Sequence, residues 1–201
     1  MEKNPQGIFV TGTGTGVGKT LVSTGLCLHF QADYWKPIQT GTPTDTDFVR
    51  RFISGKKIHK SVYRFQAPLS PNQSAELENK SVELHYIQRP ESSFLIVEGC
   101  GGIFVPLNKT QTQMDLIEQL GFPAIVTAQS GLGTLNHTLL TLEALASRNL
   151  PVLGLILSGP PHPKNVRDLE FWGKTPVLLE LDLLPSITKK TLSQAFKSLQ
   201  I

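Results

Sequence analysis

The sequence predicts an α/β fold, a parallel β-sheet flanked by helices on both faces, and two observations point to it. Short apolar runs rich in β-branched and aromatic residues recur along the chain, each followed by a glycine or small polar cluster and then a helical pattern. Near-continuous apolar strands separated by helices mark parallel strands covered on both sides. The first run also opens into VTGTGTGVGKT at residues 10–20, a stretch too poor in side-chain bulk to fill a core.

In chain order, IFV at 8–10 reads as the first strand and Lys19 to Phe30 as the helix behind it. YWKPI at 34–38 reads as another strand, with Pro37 marking where regular pairing ends, because proline has no amide hydrogen to give a neighbour. Between residues 41 and 92 the pattern thins to PTDTD, SGKK and APLSPNQS, and one or two helices within a long irregular excursion are expected. Residues 53–90 carry no reading beyond closing one side of a site. FLIVE at 94–98 leads into a glycine-rich loop, and AIVTA at 124–128 into a helix over Asn136 to Ser147. VLGLIL at 152–157 is followed by a Pro/Gly loop and a helix over Val166 to Trp172. No repeat, low-complexity block or linker divides residues 1–201, so a single domain is expected.

Composition bounds the function. With 17 glycines added to the 39% hydrophobic residues, about 47% of the 201 residues are apolar, the usual share for a soluble globular chain. The net charge of +3 is small and the basic residues are scattered, which argues against a nucleic-acid partner. No apolar run approaches the ~18 residues of a membrane span, and MEKNPQG is not a secretory leader, so a cytoplasmic protein without a membrane partner is expected. Cys27 and Cys100 lack CxxC partners and histidines at metal-ligand spacing, and read as buried thiols of a reducing compartment.

A strand, a loop of glycine and threonine, and Gly18-Lys19-Thr20 opening a helix form the arrangement that holds a polyphosphate. Glycines let backbone N–H groups point inward, the helix start adds partial positive charge, the lysine reaches the outer phosphates and the threonine hydroxyl ligates Mg²⁺. The strict motif needs glycine at 13, where Thr13 stands, so the loop is a one-residue-longer variant of the P-loop NTPase type. A dinucleotide fingerprint beginning at Gly12 would need glycine at 17, where Val17 stands.

Ligands of open α/β sheets bind beyond the carboxyl ends of the strands, so polar residues there are the next candidates. Glu98 closes FLIVE ahead of Gly99-Cys100-Gly101-Gly102 and can hold a metal ion over the phosphate loop. Lys36 ends YWK and either adds positive charge beside the phosphates or is solvated. Asp45 and Asp47 could supply a further metal carboxylate, or Asp45 could cap a helix with Asp47 in its first turn. SGLGTLNHTLLTLEAL at 130–145 is a second glycine loop opening a helix, in which Thr134, Asn136 and free N–H groups could bind a carboxylate, although Thr134 could equally be a cap.

Four ordered motifs, VTGTGTGVGKT at 10–20, WKPIQTG at 35–41, VEGCGG at 97–102 with PL at 106–107, and LGTLNHTLLTLEAL at 132–145, resemble the dethiobiotin synthetase family. The resemblance implies an ATP- and Mg²⁺-dependent carboxylation of 7,8-diaminopelargonic acid with CO₂ or bicarbonate, through a carbamate and a carbamic–phosphoric anhydride. By the same resemblance Gly14, Thr15, Gly16, Val17, Gly18, Lys19 and Thr20, with Gly101, surround the nucleotide. Lys19 and Lys36 are catalytic, and Thr20, Asp47 and Glu98 hold Mg²⁺. Thr15, Lys36 and Thr40 contact the diamine or carbamate. Gly133, Thr134 and Asn136 bind the substrate's carboxylate tail across a homodimer interface. The chain departs from the family at Ser158, where an asparagine commonly reads the adenine edge, and at Gly16, commonly acidic. A serine is too short for that pair of hydrogen bonds, which leaves nucleoside triphosphates other than ATP open as co-substrates. A switch ATPase acting on a protein partner is the main rival, but its early signature lysine is missing from TGTG at 13–16. A nucleotide-binding module without turnover is the other.

Overall fold

A computed structural model describes residues 6–201. Its framework is a seven-stranded sheet in which every pairing is parallel. In chain order the strands are β1 (Gly7–Gly12), β2 (Asp33–Trp35), β3 (Ile38–Thr40), β4 (Ile58–His59), β5 (Tyr63–Phe65), β6 (Leu95–Glu98), β7 (Ala124–Gln129), β8 (Val152–Ser158) and β9 (Val177–Leu181). The main sheet runs β4-β2-β6-β1-β7-β8-β9, and β3 pairs with β5 in a small separate sheet. The helices are α1 (Lys19–Phe30), α2 (Asp45–Arg50), α3 (Pro71–Leu77), α4 (Gln113–Leu120), α5 (Thr134–Ser147), α6 (Pro163–Gly173) and α7 (Lys189–Ala195). Among the described residues no helix is long and apolar enough to cross a membrane.

Alternation along the strands divides the core. Phe9, Val97 and Leu155 face α4 and α5, whereas Ile8, Val10, Ile96 and Ile156 face α1 and the C-terminal segment. Every residue of β1 is buried, which explains why the central strand reads as a continuous apolar run.

The expected YWKPI strand is two strands. β2 stops at Trp35, and the chain resumes pairing only at Ile38 and in the other sheet, because Pro37 lies between them. The excursion after it contains α2, α3, the two-residue edge strand β4 and β5. The α5 helix begins at Thr134, two residues ahead of the expected Asn136, with Gly133 in the left-handed conformation before it.

Gly25 lies inside α1, where glycine costs about 1 kcal/mol relative to alanine. The packing explains it, since a Cβ at this position would run into the ring of Phe196, which is fully buried. Phe196 thus seats the C-terminal segment against the helix that carries Lys19. Gly25→Ala is expected to cost about 1–3 kcal/mol by overpacking. For a chain of this size that lowers the melting midpoint by at least about 2 °C. A thermal unfolding curve unchanged from wild type would mean that the ring moves aside freely.

Candidate active site

The parallel register builds the site. Trp35 pairs with Val97 and Val10 with Glu98, so the chain leaving β2 places Lys36 beside Glu98 at the carboxyl end of the sheet. Residues 34, 36, 96 and 98 share the face toward α1. Above them the loop after β1 turns into α1. Gly16 (φ 77°) and Gly18 (φ 95°) adopt left-handed backbone that a side chain would strain, so glycine is needed at both. Lys19 Nζ donates to the Gly14 carbonyl at 2.6 Å and braces the loop from within.

Thr20, Lys36, Asp45 and Glu98 form one cluster. Thr20 Oγ1 lies 2.8 Å from both Asp45 Oδ1 and Glu98 Oε1. Lys36 Nζ lies 2.8 Å from Asp45 Oδ2 and 3.0 Å from Glu98 Oε1, with the Gly99 carbonyl at 3.3 Å. The Tyr34 hydroxyl donates to Glu98 Oε2 at 2.9 Å. Glu98 is 1% and Lys36 4% exposed, so these charges interact in a medium far less screening than water.

Burial opposes the charge on Lys36, but Glu98 and Asp45 outweigh it and hold the ammonium above the ordinary lysine range. Burial likewise opposes ionisation of Asp45, yet Lys36 and the Thr20 hydroxyl hold its carboxyl below the usual value. Lys19 goes the other way, since burial and repulsion from Lys36 bring it down to about 8. A polyphosphate would supply the negative charge that this buried lysine lacks.

A cavity of about 990 Å³ opens over the cluster. Thr15, Gly16, Gly18, Lys19 and Thr20 line it from the phosphate loop, and Lys36, Thr40, Glu98 and Gly101 from the neighbouring strand ends. The far wall comes from Pro68 to Pro71. Pro68 packs so closely on Gly41 that a Cβ there would meet it at 2.8 Å. This is the part of the 53–90 excursion that closes the site.

The aspartate beside Thr20 is Asp45, not the expected Asp47. Thr44 is the N-cap of α2. Its hydroxyl accepts from the Asp47 amide at 3.1 Å and lies 2.6 Å from Asp47 Oδ2, while Asp47 Oδ1 binds Arg50. Asp47 lines the cavity, but its carboxylate accepts from the hydroxyl of the Thr44 cap and pairs with Arg50, and Asp45 does not serve as the cap. The Thr44-x-x-Asp47 spacing is a capping-box pattern that could have separated the two aspartates from sequence alone.

The remaining candidates lie elsewhere. Val17 is buried, and a Cβ on Gly12 would meet its side chain, so only the Val17 backbone is available to a nucleotide. Ser158 ends β8, and its hydroxyl reaches to 2.9 Å from where a Gly18 Cβ would sit, touching the phosphate loop without lining the cavity. Gly133, Thr134 and Asn136 are also outside the cavity. Thr134 is buried with its hydroxyl 3.3 Å from that of Thr138, Asn136 is exposed, and the neighbouring Leu132 is fully exposed. Cys27 is buried as expected, whereas Cys100 is half-buried in the cavity wall with Sγ 3.1 Å from Gln113 Oε1. The residue of the cluster missed in sequence is Tyr34, whose hydrogen bond to Glu98 spans 64 positions.

Thr20, Asp45 and Glu98 offer hard oxygen donors converging on one point, a set that suits Mg²⁺. Among the described residues no group of three His, Cys, Asp or Glu side chains could hold a metal. Two carboxylates and a hydroxyl therefore leave coordination positions for phosphate oxygens and water, the usual arrangement of a nucleotide-bound Mg²⁺.

A glycine loop and its lysine at the start of α1, on a parallel sheet with acidic groups at adjacent strand ends, define a P-loop NTPase. Residues 6–191 match the family described as AAA domain. The chain is 47% identical over 191 residues to the ATP-dependent dethiobiotin synthetase of Paramagnetospirillum magneticum, covering 94% of this chain and 93% of that one. It is 44% identical over 186 residues to that of Lawsonia intracellularis, covering 92% and 91%. The chain belongs to the ATP-dependent dethiobiotin synthetase family. Its fold is similar to that of the MinC:MinD cell division protein complex of Aquifex aeolicus (TM-score 0.55, 12% identity, 96% and 93% covered). It is also similar to a putative plasmid partition protein of Borrelia burgdorferi bound to AMPPNP (TM-score 0.56, 10% identity, 97% of each chain).

Proposed function

We propose that this chain carboxylates 7,8-diaminopelargonic acid in an ATP-dependent ring closure, releasing dethiobiotin, ADP and phosphate. One amine takes up CO₂ and loses a proton to give a carbamate. A carbamate oxygen then attacks the γ-phosphorus of ATP, and the phosphorus–oxygen bond to ADP breaks. The second amine attacks the carbonyl carbon of the mixed anhydride, loses its proton and expels phosphate, which closes the ureido ring. The observation that carries this reading is the convergence of Lys19, Lys36, Thr20, Asp45 and Glu98 on one cavity.

A carbamate is a poor electrophile until its oxygen is phosphorylated, so the central demand is positive charge around the transferring phosphoryl group. Lys19 supplies it from the loop. Lys36 supplies it from the end of β2, near the carbamate. Thr20, Asp45 and Glu98 hold Mg²⁺, which when bound acts as a Lewis acid on the phosphate oxygens. Thr15 and Thr40, which line the same cavity, hydrogen-bond the carbamate or amines. Gly14 and Gly16 to Gly18 give the phosphates backbone N–H groups, and Gly101 closes against Thr15.

Gly133, Thr134 and Asn136 stand apart from this chain's own cavity, which supports a homodimer in which the loop binds the carboxylate tail in the other subunit's site. Asn136→Ala is then expected to raise the KM for the diamine more than that for the nucleotide, and the reverse pattern would assign the loop to the nucleotide. The function itself is tested by phosphate release with Mg²⁺ and bicarbonate, with and without the diamine, using ATP, GTP and CTP in parallel. Diamine-dependent release is expected, and the ranking of nucleotides reports what Ser158 does to base selectivity. Release indifferent to the diamine with every nucleotide would overturn the proposal in favour of a switch ATPase.

A further inference from the structure

We propose that Lys36 guards the metal site: its ammonium holds the Asp45–Glu98 pair and keeps a divalent cation out until a nucleotide arrives with it. The inference rests on the reading that Thr20, Asp45 and Glu98 are the metal-holding set.

All three N–H donors of Lys36 are engaged, with Asp45 Oδ2 at 2.8 Å, Glu98 Oε1 at 3.0 Å and the Gly99 carbonyl at 3.3 Å. Glu98 Oε1 is also the atom within 2.8 Å of Thr20 Oγ1, so ammonium and hydroxyl share the oxygen a metal would need. Each carboxylate therefore offers one oxygen to Thr20 and is held by Lys36. Lys36 is 4% exposed and its ammonium has three acceptors, so leaving the pair costs it those contacts unless another anion replaces them. A divalent ion entering beside it would face a full positive charge a few ångströms away in a weakly screening interior, which costs a large part of its attraction to the carboxylates. With Lys36 in place the cluster of one lysine and two carboxylates carries a net charge of −1, and without it −2.

The phosphates of a nucleotide change this balance twice. They add phosphate oxygens to the two carboxylates and the Thr20 hydroxyl, and they offer the ammonium another anion, which frees the carboxylates. Metal and nucleotide binding are thereby made synergistic, and the same lysine that guards the site is released toward the reacting groups.

The test is Mn²⁺ binding followed by electron paramagnetic resonance in the absence of nucleotide. It compares wild type, Lys36→Arg, Lys36→Met and Lys36→Met combined with Asp45→Asn, with folding checked by thermal unfolding. Wild type and Lys36→Arg are expected to bind weakly, in the millimolar range. Lys36→Met should bind at least about tenfold tighter, and addition of Asp45→Asn should reverse the gain. Micromolar binding by wild type overturns the guard whatever the variants do, as does a folded Lys36→Met that binds no tighter. If Lys36→Met does not fold, Lys36→Gln takes its place under the same criterion. Tightening that survives Asp45→Asn would locate the metal elsewhere and overturn the metal-site reading on which the guard depends.

Discussion

Lys19→Ala is expected to lower kcat by about 10²–10³, the loss that follows removal of one preorganised contact to charge developing in a transition state. Two features make the effect large. Lys19 is 7% exposed, so its charge acts in a weakly screening medium that water entering the truncated site would not reproduce. It also braces the loop through its 2.6 Å bond to the Gly14 carbonyl, so truncation loosens the backbone that presents N–H groups to the phosphates. A single-turnover measurement separates the two. Loss of charge stabilisation slows the chemical step at saturating nucleotide, whereas a loosened loop alone raises the nucleotide KM and leaves that step intact. A rate within about tenfold of wild type at saturation would refute the role assigned to this lysine.

The second large effect concerns the carboxylates. Asp45→Asn and Glu98→Gln are each expected to raise the Mg²⁺ concentration for half-maximal turnover by at least about tenfold, because even groups that merely orient a metal ligand are worth 10–100-fold. Glu98→Gln should also lower stability by several kcal/mol, since it leaves a buried Lys36 short of one charge partner and Tyr34 facing an amide. Asp45 is the gentler probe, with its side chain 34% exposed. Asp47→Asn should leave the Mg²⁺ titration unchanged, because that side chain is engaged with the Thr44 hydroxyl and Arg50. A Mg²⁺ requirement that follows Asp47 and ignores Asp45 would return the metal to the aspartate first expected.

These two predictions also show which parts of the site were legible in sequence. The phosphate loop was readable because its logic is local: glycines where the backbone is left-handed, then lysine and threonine on the first turn of α1, whose bounds match the expected Lys19 to Phe30. The strands around it were readable because each is buried on both sides and so is continuously apolar. Glu98 and Lys36 could be suspected at strand ends, but their contact depends on the β2–β6 register, which no short window contains. Asp45 was open between a metal carboxylate and a helix cap for a related reason. Two aspartates two positions apart look alike until Thr44 is recognised as the cap.

α4, β9, α7 and the short strands of the 41–92 excursion are not among the expected elements, although a Thr112-x-x-Asp115 capping box and a left-handed Gly121 frame α4. β4 has two residues at a sheet edge, and β5 pairs only with β3. Such elements are fixed by what they pack against rather than by their own pattern. The cavity wall at Pro68 to Pro71 belongs to the same class, since its position follows from contact with Gly41, far from it in sequence.

The most direct test of the central claim is to follow the carbon itself. Purified protein is given ATP, Mg²⁺, 7,8-diaminopelargonic acid and ¹³C-bicarbonate, and the products are examined by mass spectrometry and ¹³C NMR. The account predicts one labelled carbon in a ureido carbonyl of dethiobiotin, with one phosphate released per ring closed. ATP hydrolysis without labelled ring product, at any diamine concentration, would contradict it.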